Sequence, residues 1–149
     1  MKEKKYSKIM GKDESENIEW KPSLSQINEI VETVSALSNK KGGRIVIGVS
    51  KSGKILGMEI GKDTIERLTN KIISNTEPKV YPGIKIEKVE GKKIILIEVK
   101  ESAEKLVLAF GRPFKRVGKS TVRMSKTEYE SLILEKHKEI LQFDKQICK

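Results

Sequence analysis

Between Leu24 and Val49 the apolar residues of this chain change period once, and that change restricts the possible folds more than any other feature. Leu24, Ile27, Ile30, Val31, Val34 and Leu37 recur at helical spacing up to about Asn39, placing one apolar face on a helix. Ser23 followed by Gln26 is the capping-box pattern that opens such a helix. Lys40-Lys41-Gly42-Gly43 then turns the chain into Arg44–Val49, a β-branched run that reads as a central strand. A helix packed on a sheet satisfies both periods, so an α/β (α+β) domain is expected.

Hairpin and helix signals continue on either side. Asn17–Lys21 alternates, with Ile18 and Trp20 on one face and Glu19 and Lys21 on the other, until Pro22 ends the strand. Ser52-Gly53 supplies a tight turn, and Lys54–Met58 is expected to return as the second arm of a hairpin. Asp63 with Glu66 opens a second helix, which turns Ile65, Leu68, Ile72 and Ile73 inward before Pro78 and Pro82 force a loop. Ile84–Val89 and Lys92–Lys100 flank Glu90-Gly91 as a second hairpin, and Leu106–Phe110, Phe114–Val117 and Thr121–Met124 read as short strands. Ser125 and Glu128 cap a last helix that packs through Tyr129, Leu132 and Ile133 and loses its pattern after Glu135.

The expectation is a mixed sheet with hairpins packed against two to three helices. A flexible basic tail covers 1–13, one domain covers 14–135, and a helical extension over 136–149 frays or pairs with another chain. A length of 149 residues suits one domain.

Charge points to the class of partner. Lys and Arg number 31 against 21 Asp and Glu, a net charge of +10 that favours phosphate backbones or anionic lipid. A lysine-rich solubility surface fits the same total, so the distribution decides. From Lys105 to Lys126 there are seven basic residues (Lys105, Arg112, Lys115, Arg116, Lys119, Arg123 and Lys126) and no acidic one. If Lys115–Val117 and Thr121–Arg123 are adjacent strands, they form a cationic patch, and each cation that displaces a condensed counterion adds salt-dependent affinity. Phe110 and Phe114 have faces that stack on bases, although with three Phe in the whole chain core packing is the expected use of both.

The single cysteine, Cys148, excludes an intrachain disulfide and suits a reducing compartment. Apolar runs end after a few residues, and the first ten residues lack the apolar centre of a signal peptide. A cytoplasmic location with no membrane partner is expected.

Several enzymatic readings fail on residue type. Gly48-Val-Ser-Lys-Ser-Gly53-Lys54-Ile55 resembles a phosphate loop, but Ile55 stands where a hydroxyl must reach the magnesium, and a hairpin rather than a helix is expected to follow. His137, the one histidine, falls on the polar side of the last helix, which excludes a histidine triad, a two-histidine ribonuclease and an ordinary zinc site. Carboxylates remain. Glu14, Glu16 and Glu19 crowd around one strand beside Lys21, a composition that either holds Mg²⁺ or Mn²⁺ through oxygen or balances a basic neighbourhood in solvent.

Taken in order, Glu14-x4-Glu19-Trp20-Lys21, Ser35-Ala36-Leu37-Ser38-Asn39, Gly42-Gly43, Ile47-Gly48-Val49, Gly53-Lys54-Ile55-Leu56-Gly57, Pro78, Pro82 and Lys115-Arg116-Val117-Gly118-Lys119-Ser120-Thr121 resemble the AlbA-like domain of the Schlafen family, once called a divergent AAA domain. The resemblance spans about Glu14 to Leu132. It implies an α/β nucleic-acid-binding domain, found in transcriptional regulators and in an RNA-cleaving core that acts on transfer and ribosomal RNA. That core pairs two such lobes, so a single lobe implies a homodimer. Its nuclease members use three acidic residues with a divalent metal. Two of these match Glu14 and Glu19, while the third, an aspartate after the Ile-Gly-Val strand, is replaced here by Ser50-Lys51-Ser52.

The leading expectation is therefore a homodimeric nucleic-acid-binding domain, RNA favoured over DNA, with Arg112, Lys115, Arg116, Lys119 and Arg123 on phosphate. Glu substitutions at Arg116 and Lys119 together are expected to abolish retention on RNA. The alternative is an endoribonuclease in which Glu14 and Glu19 hold Mg²⁺ or Mn²⁺ and Lys21 steadies the scissile phosphate. ATP binding, which the older family label implies, is the third reading.

Overall fold

The computed structural model describes residues 14–103 and 106–147, so the expected tail, Lys105 and Cys148 lie outside the described residues. Along the chain run β1 (Ile18–Lys21), α1 (Ile27–Ser38), β2 (Gly43–Ile47), α2 (Thr64–Ser74), β3 (Thr76–Glu77), β4 (Gly83–Val89), β5 (Lys92–Val99), β6 (Leu108–Ala109), β7 (Arg112–Val117), β8 (Ser120–Arg123) and α3 (Lys126–Ile147). The strands divide into two four-stranded sheets, β1-β2-β5-β4 and β3-β6-β7-β8. β1 runs parallel to β2, and the remaining pairings are antiparallel, giving the mixed α+β architecture expected.

Helix α1 packs against strands of both sheets. Its Ile30, Val31, Val34 and Leu37 meet Ile45 and Ile47 of β2, Ile95 and Ile97 of β5, and Ala109 and Phe114 from the second sheet. Trp20, Val46, Val49, Ile55, Ile94 and Leu96 form a second cluster. Because alternate residues of β2 enter different clusters, both faces of that strand are buried, which is why its sequence is apolar without alternation.

The Gly42-Gly43 turn is required by close approach. A Cβ on Gly43 would sit 2.2 Å from the Asn17 carbonyl oxygen, and one on Gly42 would sit 2.5 Å from that of Val99. Those contacts let β1 and β5 close on β2, where Arg44 N–H donates to the Asn17 carbonyl at 2.9 Å.

Three local expectations change. Helix α1 begins at Ile27 rather than Leu24, because the Ser23 hydroxyl accepts the Ser25 N–H at 3.2 Å and forms a turn, while Gln26 occupies the N-cap without a side-chain cap bond. At α2, Asp63 stands at the N-cap but makes no cap bond; Thr64 Oγ1 instead accepts the Gly61 N–H at 2.9 Å. Residues 54–58 form no strand. They touch Val49 through one bridge at Ile55, and the Leu56 and Gly57 N–H groups both donate to the Gly48 carbonyl, which folds the segment into a loop. Of the third capping box the Ser125 half forms, with Glu128 N–H donating to Ser125 Oγ at 3.1 Å, while the Glu128 carboxylate accepts from Lys115.

Candidate nucleic-acid interface

Alternation along β7 puts Phe114 and Arg116 in the interior and Lys115 and Val117 on the outside. Arg116 is 2 % exposed. Its Nη1 donates to Glu19 Oε2 at 2.9 Å and to Thr121 Oγ1 at 3.0 Å, and its Nη2 donates to the carbonyls of Ser15 at 2.7 Å and Ile18 at 3.1 Å. Nε donates to the Glu16 carbonyl at 3.2 Å. A guanidinium surrounded in this way has no donor facing solvent. The expected phosphate contact of Arg116 is therefore corrected: this side chain fastens β7 to the turn before β1.

Glu19 links that anchor to a surface cleft. Its Oε1 lies 3.7 Å from Lys21 Nζ, which donates to Glu29 Oε2 at 2.7 Å. The ion pairs thus run from the buried Arg116 guanidinium, through the buried Glu19 and Lys21, to the half-exposed Glu29 carboxylate. This buried placement excludes, for Glu19, a solvated charge that merely balances its neighbours. β1 presents Glu19 and Lys21 because it pairs them with Ile45 and Ile47, whose side chains face α1.

Around these residues opens a cleft of about 240 Å³. α1 contributes Glu29, Glu32 and Thr33, the loop after β2 contributes Lys51, the β7–β8 turn contributes Lys119, and the start of β8 contributes Ser120 and Thr121. Thr33 and Thr121 hydroxyls meet at 2.9 Å, joining the helix to β8. Partial burial and the nearby Glu29 charge hold the Glu32 carboxyl above its ordinary pKa, with Arg112 and Lys21 acting in the opposite direction.

The other cations occupy the hairpin surface. Arg112, Lys119 and Arg123 are exposed. Lys115 is half-buried and donates to Glu128 Oε2 at 2.6 Å, tying β7 to the first turn of α3. Arg112 and Arg123 sit at one end of the hairpin and Lys119 at the other. Phe114 belongs to the core, and Phe110, 37 % exposed, carries the Lys71 ammonium 5.8 Å from its ring centroid.

The metal expectation does not fit this arrangement. Glu14 Oε1 accepts the Trp20 backbone N–H at 3.1 Å, and both Glu19 oxygens face cations. Among the described residues no group of three His, Cys, Asp or Glu side chains is placed to hold a metal ion. Lys51, from the segment where the resemblance implies an aspartate, lines the cleft with positive charge instead. Magnesium and manganese prefer several oxygen ligands of net negative charge, and a carboxylate already neutralised by Arg116 and Lys21 supplies little of either. The phosphate-loop pattern also lacks its context, since residues 54–58 are a loop and no helix opens there. His137 is exposed on α3.

Two positioning residues carried no chemical signal in the sequence. Asn39 Nδ2 donates to the Val107 and Phe114 carbonyls, each at 3.0 Å, and its Oδ1 accepts the Val107 N–H at 2.6 Å. Ser35 Oγ donates to the same Val107 carbonyl at 2.7 Å. Both fall in the Ser35–Asn39 motif, where the spacing of four on one helix face was the available sign.

The Schlafen, AlbA_2 family model matches residues 14–125. The fold is shared by solved structures, two of which align as follows. The DIP2311 protein from Corynebacterium diphtheriae aligns with TM-score 0.63 and 21 % identity over 76 % of this chain, which spans only 26 % of that protein. The second is the N-terminal domain of a Nitrosomonas europaea protein described as related to the ATP-dependent DNA helicase RecG. It aligns with TM-score 0.53 and 23 % identity, over 64 % of this chain and 70 % of that domain. No curated protein matches.

Proposed function

The chain belongs to the Schlafen, AlbA_2 family, and from that premise we propose that it binds nucleic acid, with RNA favoured over DNA, through the exposed cations at the two ends of the β7–β8 hairpin. The observation that carries this reading is the division of labour among the cations. Arg116 is buried as an anchor, while Arg112, Lys119 and Arg123 remain exposed on the hairpin that it fixes. At roughly 3.3 Å per residue, such a hairpin spans about 15 Å, enough to follow several successive phosphates of one strand. The RecG-related description of one structural neighbour agrees with a polynucleotide partner.

The nuclease alternative has weaker support, because Glu19 is ion-paired on both oxygens and Lys51 lines the cleft. ATP binding has no geometric support in the 48–58 segment. No described helix is long and apolar enough to cross a membrane, and we assign the protein to the cytoplasm, where nucleic acid is accessible. A second copy of the chain is proposed as its partner. The support is apolar surface at Ile133 and Leu134 of α3, 41 % and 60 % exposed, with Val117 and Val122 on the hairpin at 53 % and 40 %.

Purified protein incubated with labelled transfer RNA, with and without Mn²⁺, tests the reading when run on native and denaturing gels. A shifted but intact RNA is expected in both conditions. Cleavage that requires Mn²⁺ and disappears in Glu19→Ala would favour the nuclease reading, and absence of any shift would reject binding.

A further inference from the structure

A second and larger cleft, of about 680 Å³, opens away from the hairpin cations, beside the residues that start β1 and β2. Its rim is formed by Arg44, by Lys79 and Tyr81 of the loop between β3 and β4, and by Glu98 and Lys100 at the end of β5. The volume lies within the range of sites that accept small organic ligands.

Three features narrow the ligand. Three cations face one carboxylate, so the site favours an anion. The Tyr81 ring is 74 % exposed, carried by a loop that Pro78 and Pro82 stiffen, and so presents a flat face at little conformational cost. Ser38 also lines the cleft, and its Oγ is buried without a hydrogen-bond partner among the described residues. Buried polar atoms are nearly always paired, which leaves this hydroxyl for a group that enters the cleft.

An anion, a flat π surface and a hydrogen-bonding edge occur together in one nucleotide. Bases within a duplex are stacked on one another and have no face to offer, whereas an unpaired base stacks readily on an aromatic side chain. An acidic peptide would satisfy the cations but leave the Tyr81 face in water.

We propose that this cleft holds one unpaired nucleotide of a single strand, its base on Tyr81 and its phosphate held by Lys79 and Lys100 with the charge of Arg44. This rests on the nucleic-acid-binding reading and adds to it a second contact and a preference for single strands. β1 connects the two clefts, since Asn17 and Ile18 line this one and Glu19 and Lys21 line the other.

The test is fluorescence anisotropy with a labelled oligouridylate of about ten nucleotides, within the usual footprint of such sites. Tyr81→Ala is expected to weaken binding about tenfold or more, while Tyr81→Phe, which keeps the stacking face, stays near wild type. Lys79→Glu with Lys100→Glu should weaken it further and flatten its salt dependence. If Tyr81→Ala binds like wild type while Lys119→Glu with Arg123→Glu binds weakly, this inference is overturned and the hairpin reading stands. If the wild-type protein binds no oligonucleotide, both fall.

Discussion

Arg116 Nη1 lies 2.9 Å from Glu19 Oε2, with the guanidinium fully buried and the carboxylate 8 % exposed. The pair joins β7 of one sheet to β1 of the other. Removing one partner of a buried pair leaves the other as an uncompensated charge, at a cost of about 3–5 kcal/mol. Arg116→Ala is expected to lose about that much in urea denaturation, and Arg116→Lys much of it, because an ammonium cannot reach five acceptors in a fork. The double variant Arg116→Met with Glu19→Leu should be less destabilised than either single change to alanine.

That relationship also explains why Arg116→Glu is a poor probe of RNA binding. It would place an acid against Glu19 in the interior and report on folding. Lys119→Glu with Arg123→Glu is the appropriate pair, since both side chains are exposed.

Asn39 fixes Val107 and Phe114 through the three hydrogen bonds already described. Asn39→Ala leaves partly buried backbone groups unpaired and is expected to cost about 1–3 kcal/mol. Hydrogen exchange should quicken at β6 and the start of β7, while the β4–β5 hairpin stays protected.

Glu32 titrates above its ordinary value because burial, followed by the Glu29 charge, disfavours its ionised form. A carboxyl whose folded pKa is raised favours folding when protonated, and that contribution is lost as pH rises through the folded value. Glu32→Gln should therefore gain stability relative to wild type as pH rises from the ordinary carboxylate range toward neutrality. Below that range the two should keep a constant difference. Urea midpoints measured across pH check the sign.

Much of this was legible in the sequence, for identifiable reasons. The change of period at Gly42-Gly43 located α1 and β2, because burial on both faces of β2 leaves no room for polar residues. The alternation of Asn17–Lys21 sorted Trp20 from Glu19 correctly. The polar face of β1 nevertheless turned inward, since pairing with β2 aligns Glu19 and Lys21 with Ile45 and Ile47, and a cation from a distant strand was waiting there. Local spacing cannot reveal that Arg116, 97 residues away, makes Glu19 a buried residue. Nor does it reveal that Ser23 would use its hydroxyl in a turn, or that loop packing would bring Lys51 to the cleft beside Lys119.

The central claim is that exposed cations of the β7–β8 hairpin neutralise phosphates while the buried Arg116 fixes that hairpin to β1. It is tested most directly by the dependence of the RNA association constant on salt, for wild type and for Lys119→Glu with Arg123→Glu. Affinity of wild type is predicted to fall steeply with salt, and the double variant to bind more weakly with a logarithmic slope shallower by about 1.4, near 0.7 for each lost phosphate contact on a single strand. Equal affinity and an unchanged slope in a folded double variant would contradict it.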